Sequence, residues 1–376
     1  MKKILTFLVL FVFTVTTNAQ IQQAENQINE MMGKLKVVGL AVAVVKNNKI
    51  IYTHSFGKKN IADQTPLSND DIFRIASISK SFAATSIMQL AEAKKLSLED
   101  DFSDLVGFKV RNPQFPETVI TLKMVLSHTS SINDSQGYFN LDVINADKNS
   151  NWAKCYTNKQ PGTTYLYCNL NFNMVGAVIE KISGKRYDNY VKQNILDPLG
   201  LYGGYCVDSL EAKRFVPLYE YDEKLNTYQL SEAVYAPRRE ELKTYQLGYS
   251  TPILSPTGGM KISAIDLAKY MMMHMNYGKL GKTTVMKKKS AKIMQTKISE
   301  EEGYGLAIRT INDLIPGKTM KGHTGSAYGL YSAMFFEPHD KFGIVVITNG
   351  SDASYIGGTR TILKESINIL YHHLIK

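Results

Sequence analysis

Cysteine is scarce: the 376-residue chain carries three, Cys155, Cys168 and Cys206. That number excludes a disulfide scaffold, and the wide spacings form no zinc-ligand pattern. An odd count leaves at least one thiol unpaired, so buried free thiols with at most one bridge are expected. HExxH is absent, as are phosphate-loop and dinucleotide glycine patterns, and no metal or cofactor is expected. No long Lys/Arg tract and no aromatic interleaving accompany the net charge of +10, so no nucleic-acid partner is expected. Internal repeats and low-complexity linkers are lacking. Past the N-terminal stretch there is no apolar run long enough to cross a bilayer. The apolar and charged fractions, 44% and 21%, are those of an ordinary globular chain.

What is present begins at the N-terminus. Lys2 and Lys3 precede a mostly apolar run, Ile4–Val15, which ends in Thr17-Asn18-Ala19. A basic start, a short apolar centre and a small-residue site form the pattern of a signal peptide over residues 1–19, cut before Gln20. The run is short for a membrane anchor. The expectation is a periplasmic or secreted mature chain, 20–376, with no integral membrane segment.

The periodicities then outline the body of the chain. Residues 22–35 read as a helix. Val37–Val45 and Lys49–Phe56 flank Asn47-Asn48, a hairpin signal. A helical pattern runs from near Ser77 to about Lys95. Residues 96–250 mix short helices with loops, and 205–250 carry no clear pattern. Ser263 and Asp266 approximate a capping box before another helix. Tyr328–Phe336 and Phe342–Thr348 read as strands around Pro338-His339-Asp340, and 359–374 as a closing helix. Sheet-forming runs at both ends predict an α+β fold. One antiparallel sheet is built from about 20–76 and 251–376 and flanked by helices, with a mostly helical region, about 77–250, inserted between.

Three elements carry chemistry. Ser77-Ile78-Ser79-Lys80 opens a helix, and a three-residue step puts Ser77 and Lys80 near one face. A lysine can take a serine's proton when burial lowers its pKa. Tyr167-Cys168-Asn169 precedes a second helix and offers a proton relay and an amide. Lys321-Gly322-His323-Thr324-Gly325-Ser326 is a glycine-containing segment leading into a strand, whose edge can offer a backbone N–H to an oxyanion. Each element alone has a plain structural reading: an exposed helix pair, a packed aromatic with Asn169 capping the next helix, and a surface loop.

Together, in this order, the three resemble the S-x-x-K, Y-x-N and H-T-G signature of the serine beta-lactamase and penicillin-binding-protein superfamily, within it the class C beta-lactamase and soluble DD-peptidase branch. Phe73-Arg74-Ile75-Ala76, Leu126-Ser127-His128-Thr129-Ser130, Gly258-Gly259-Met260 and Gly303-Tyr304-Gly305-Leu306 extend the resemblance over about 35–370. It implies a beta-lactamase/transpeptidase-like fold and an acyl-enzyme on Ser77. Lys80 and Tyr167 would share the proton transfers. Asn169, His323, Thr324 and Gly325 would line the substrate site, and the Ser77 and Ser326 N–H groups would form the oxyanion hole. The implied substrates are small peptides, esters or peptidoglycan-derived compounds. A D-alanyl-D-alanine carboxypeptidase-like peptidase leads. A carboxylesterase or D-amino-acid peptidase, a beta-lactamase, and a non-catalytic peptidoglycan binder are the alternatives. His323 stands where class C beta-lactamases usually keep lysine, which implies a weaker, pH-sensitive hold on a carboxylate. Ser131 stands where the family often has glycine. His128 is expected to be structural.

Overall fold

A computed structural model describes the backbone of residues 2–376 and the side chains from Asn18 onward. The side chains of the expected leader's apolar run therefore lie outside the described residues. Along the chain come helix α1 (Lys2–Lys34), strands β1 (Gly39–Lys46) and β2 (Lys49–Gly57), and the short strand β3 (Phe73–Arg74). A single 3-10 turn, Ala76–Ile78, runs straight into α2 (Ser79–Glu92). The inserted region holds α3 (Leu122–Leu126), α4 (Asn169–Ser183) and β4 (Gly203–Gly204) among shorter turns. Then follow β5 (Lys261–Ile262), α5 (Ala264–Met275), β6 (Arg309–Ile311), β7 (Met320–Ala327), β8 (Leu330–Glu337), β9 (Phe342–Thr348) and α6 (Thr361–Leu370).

The main sheet has the order β6-β7-β8-β9-β1-β2, antiparallel throughout. The N-terminal hairpin completes it by pairing β1 with β9, from Leu40↔Thr348 to Lys46↔Phe342. Asn47 and Asn48 turn the hairpin with φ of +52° and +62°. Two successive left-handed residues match the twist of the flanking strands, and asparagine adopts that conformation more readily than other side chains.

β1 is buried on both faces, so it reads as an unbroken apolar run. Leu40, Val42 and Val44 pack with Ile28 and Met31 of α1 and Ile362 and Ile367 of α6. Ala41, Ala43 and Val45 face the other core, shared with α2, α4 and α5. Two helical layers thus sandwich one sheet, as the placement of sheet-forming runs at the two ends predicts. Ser263 caps α5 by accepting from Asp266 N at 3.2 Å. Among the described residues no helix is long and apolar enough to cross a membrane. All three cysteines are buried and free.

Two expectations change. Lys321–Ser326 is not a loop before a strand; it lies within β7. Its two glycines weaken the local strand signal, and pairing with β8 overrides it. Residues 205–250 hold a hairpin, Tyr219–Asp222 with Thr227–Leu230, whose second strand is largely exposed and so shows no apolar alternation.

Candidate active site

The turn that carries Ser77 is wedged between sheet and helix. Ile75 N donates to Met260 O at 3.0 Å, and Ser332 Oγ donates to Ile75 O at 2.9 Å. A Cβ on Gly325 would lie 2.3 Å from Ile75 O and 2.4 Å from Ser332 Oγ. Only glycine lets β7 approach this closely. Gly325 therefore acts as a spacer behind the site and does not line it. Ser77 is partly exposed in a cleft of about 630 Å³, while its neighbours Ala76 and Ile78 are buried.

Lys80 is fully buried beneath Ser77. Its Nζ lies 3.2 Å from Ser77 Oγ, 2.9 Å from Asn169 Oδ1 and 2.9 Å from the Thr257 carbonyl. Burial lowers its pKa to about 7, against a partial upward pull from Asp134. As a neutral amine it donates two N–H groups, which Asn169 and Thr257 accept. The lone pair is then left to the Ser77 hydroxyl, the arrangement a proton acceptor needs. The aromatic faces of Tyr167 and Phe172, 4.7 Å and 5.7 Å from Nζ, stabilise the cation that forms when it takes a proton.

Tyr167 is held through His128. His128 O accepts from Leu166 N at 2.7 Å, and its Nδ1 accepts from Cys168 N at 3.1 Å. Its ring packs on Tyr167 at 4.4 Å. An accepting Nδ1 puts the proton on Nε2, and burial keeps the ring neutral. His128 thus meets its neighbours through a backbone N–H and ring packing. The Tyr167 phenol is pushed well up by burial, with Ser77 as a hydrogen-bonding neighbour, so it stays protonated.

Asn169 opens α4 instead of capping it; Cys168 is the cap residue. The helix end is satisfied by Asp134, which accepts from Asn169 N, Asn169 Nδ2 and Leu170 N, each at 2.9 Å. No sequence signal marks Asp134. It lies 35 residues from Asn169 in an irregular loop, and only tertiary structure joins them. The Thr257 carbonyl was equally invisible, because it is a backbone group.

His323 and Thr324 reach the cleft from β7. His323 Nδ1 lies 2.5 Å from Thr324 O, which can only accept, so Nδ1 carries the proton. Nε2 then accepts from Tyr304 OH at 2.9 Å. Both ring nitrogens are occupied. Burial first, then Lys80, lowers the pKa to about 3. His323 is thus neutral at physiological pH, and the expected pH-sensitive contact has no titration there to drive it. Arg309 lines the same end of the cleft and pairs with Glu302 at 2.9 Å.

Ser79 is buried on another side, its Oγ accepting from Met260 N at 3.0 Å. Ser131 adopts φ of +63°, the conformation that favours the glycine usual in the family at this position. Among the described residues one cluster has metal-ligand character, Glu337, His339 and Asp340. It is at the β8–β9 turn and lines no part of the cleft.

A family model described as Beta-lactamase matches residues 24–365. "Protein flp" of Staphylococcus aureus (strain N315) is 23% identical over 358 residues, covering 89% of this chain and 64% of that protein. The chain thus spans less than two thirds of that curated relative. The octameric penicillin-binding protein homologue from Pyrococcus abyssi superposes with a TM-score of 0.75 at 25% identity, covering 93% of this chain and 78% of that one. The D-amino acid amidase from Ochrobactrum anthropi SV3 gives 0.73 at 16% identity, covering 94% and 98%; that likeness speaks for the fold alone.

Proposed function

The chain belongs to the beta-lactamase family, and from that premise we propose that it is a serine hydrolase of amide or ester bonds that acylates on Ser77. The observation that carries the reading is the buried Lys80 amine, with two acceptors for its N–H groups and the Ser77 hydroxyl at 3.2 Å. Ser77 Oγ attacks the substrate carbonyl carbon while Lys80 Nζ takes its proton. The N–H groups of Ser77 and Ser326 hold the oxyanion. As the tetrahedral adduct collapses, the protonated lysine returns a proton through the Tyr167 hydroxyl to the departing amine or alcohol. Water then cleaves the acyl-serine ester by the reverse relay, releasing an acid and restoring Ser77.

The favoured substrate is a peptide ending in D-alanyl-D-alanine. Arg309 at the His323 end is paired with Glu302 through Nη2, and its Nη1 side is left to meet a terminal carboxylate near Thr324. The second reading is an esterase or D-amino-acid amidase. It is favoured by His323, whose neutral, doubly bonded ring supplies no fixed charge where a lysine would. The leader pattern over 1–19 supports a periplasmic or secreted location, with 20–376 as the catalytic part.

An intact-mass screen with D-alanyl-D-alanine peptides, nitrophenyl esters and a cephalosporin tests the proposal. Release of D-alanine with an adduct on Ser77 supports the peptidase, and turnover of esters alone supports the esterase. A folded protein that forms no adduct with any probe rejects the enzyme and leaves a binding module.

A further inference from the structure

The cleft continues past Ser77 into a second cavity of about 310 Å³; Arg74, Ser255 and Tyr328 line both. Its wall is built by a short sheet. Arg74 on β3 pairs directly with Lys261 on β5, so the two side chains leave the same face. Both line the cavity. Arg74 Nε donates to Gly258 O at 2.8 Å, Nη2 reaches Ser255 Oγ at 3.4 Å, and the guanidinium lies over the Tyr328 ring at 5.2 Å. Lys261 is buried, and its Nζ has one hydrogen-bond partner, the Tyr205 carbonyl at 2.6 Å.

Neither cation is paired with an acid. Among the described residues no carboxylate lies within ion-pair distance of Arg74 or Lys261. Arg238, at the cavity's rim, is already paired with Glu241 at 2.8 Å. An arginine has five N–H groups and an ammonium three, so most donors on this wall are unfilled. Burial depresses both groups, and for Lys261 the neighbouring Arg74 adds to the effect. A buried cation beside a half-buried one, with no counter-ion, is costly unless an anion completes the pair. Val207, Val234, Ile253 and Leu254 give the wall an apolar stretch, and Glu241, held by Arg238, also lines the cavity.

We infer that this cavity is a subsite for a carboxylate carried on the acyl part of the substrate, with the acyl stem lying on the apolar wall and the carboxylate held by Lys261 and Arg74. The inference rests on Ser77 being the acylated serine. It adds a preference the catalytic groups do not set: acidic acyl groups are favoured, and acyl groups bearing a free ammonium are repelled.

The test compares N-glutaryl-D-alanine and N-(methyl glutaryl)-D-alanine 4-nitrophenyl esters, which differ only in whether the distal carboxylate is capped. The wild-type enzyme is expected to favour the free carboxylate at least about tenfold in kcat/KM, the scale of a charged hydrogen bond. The ratio should fall toward one in Lys261→Met and persist in Lys261→Arg. A ratio cancels general damage to the catalytic turn. Equal turnover of the two esters by wild type, or an unchanged ratio in Lys261→Met, overturns the subsite. Should Lys261→Met not fold, Lys261→Gln replaces it, and the wild-type ratio decides without either. Fluorophosphonate labelling reports separately on Ser77. If labelling and turnover both fail, the catalytic reading falls, and calorimetry with glutarate on wild type and Lys261→Met still decides the cavity. Weaker binding to the variant supports the carboxylate site, and equal or no binding to both rejects it.

Discussion

The Asp134 carboxylate accepts both the backbone N–H and the side-chain Nδ2 of Asn169, each at 2.9 Å, and so decides which way round the amide sits. A carboxylate only accepts, and the Lys80 amine, whose lone pair faces Ser77, meets Asn169 with an N–H. Nδ2 must therefore face Asp134, and Oδ1 must face Lys80. The lysine's orientation is set from two residues away.

Asp134→Ala should slow fluorophosphonate labelling of Ser77 by about 10–100-fold, the scale expected when a reacting group is misplaced. Loss of its bonds to the start of α4 should cost roughly 1–2 kcal/mol in denaturation. Asp134 also raises the Lys80 pKa, so the pH limb of labelling should move downward in the variant. A purely structural aspartate would leave that limb in place.

Peptide mapping should place the covalent adduct on Ser77, and Ser77→Ala should lose both labelling and turnover. Ser79→Ala should still form the adduct. It should be less stable by about 1–3 kcal/mol, because the buried Met260 N–H loses its acceptor. An adduct on Ser79 would reject the mechanism.

Acylation should rise as pH increases through about 7 and then level off, because the neutral Lys80 amine is the base. His323, lowered to about 3, should contribute no limb above pH 5. His323→Lys places a second cation near Lys80, and the limb should shift to lower pH. A limb near the ordinary lysine value in the wild type would remove Lys80 as the base.

Lys261 has a folded-state pKa lowered to about 7, against 10.5 when unfolded. Below about pH 7 both states are protonated, and the burial penalty is fully present. Between about 7 and 10.5 the folded state has lost the proton that the unfolded state still binds, and the penalty shrinks. Relative to Lys261→Met, the wild type should therefore gain stability as pH rises across that window. Chemical denaturation at pH 6.5 and 9.5 checks this, and a pH-independent difference would show Lys261 not to be depressed.

Periodicity and turn chemistry are local properties and can be read along the chain. Asn47-Asn48 set the hairpin, the apolar spacing after Ser77 set α2, and sheet-forming runs at both ends set how the sheet closes. The three-residue step from Ser77 to Lys80 and the order of the three motifs were legible for the same reason. Tertiary structure alone decided the rest. Strand pairing turned Lys321–Ser326 into β7, against its glycines. Folding brought Asp134 and the Thr257 carbonyl, distant in sequence, onto Asn169 and Lys80. It also decided protonation. Lys80, His323 and Lys261 have ordinary pKa values as residue types, and burial away from water, where a charge is poorly stabilised, moved all three.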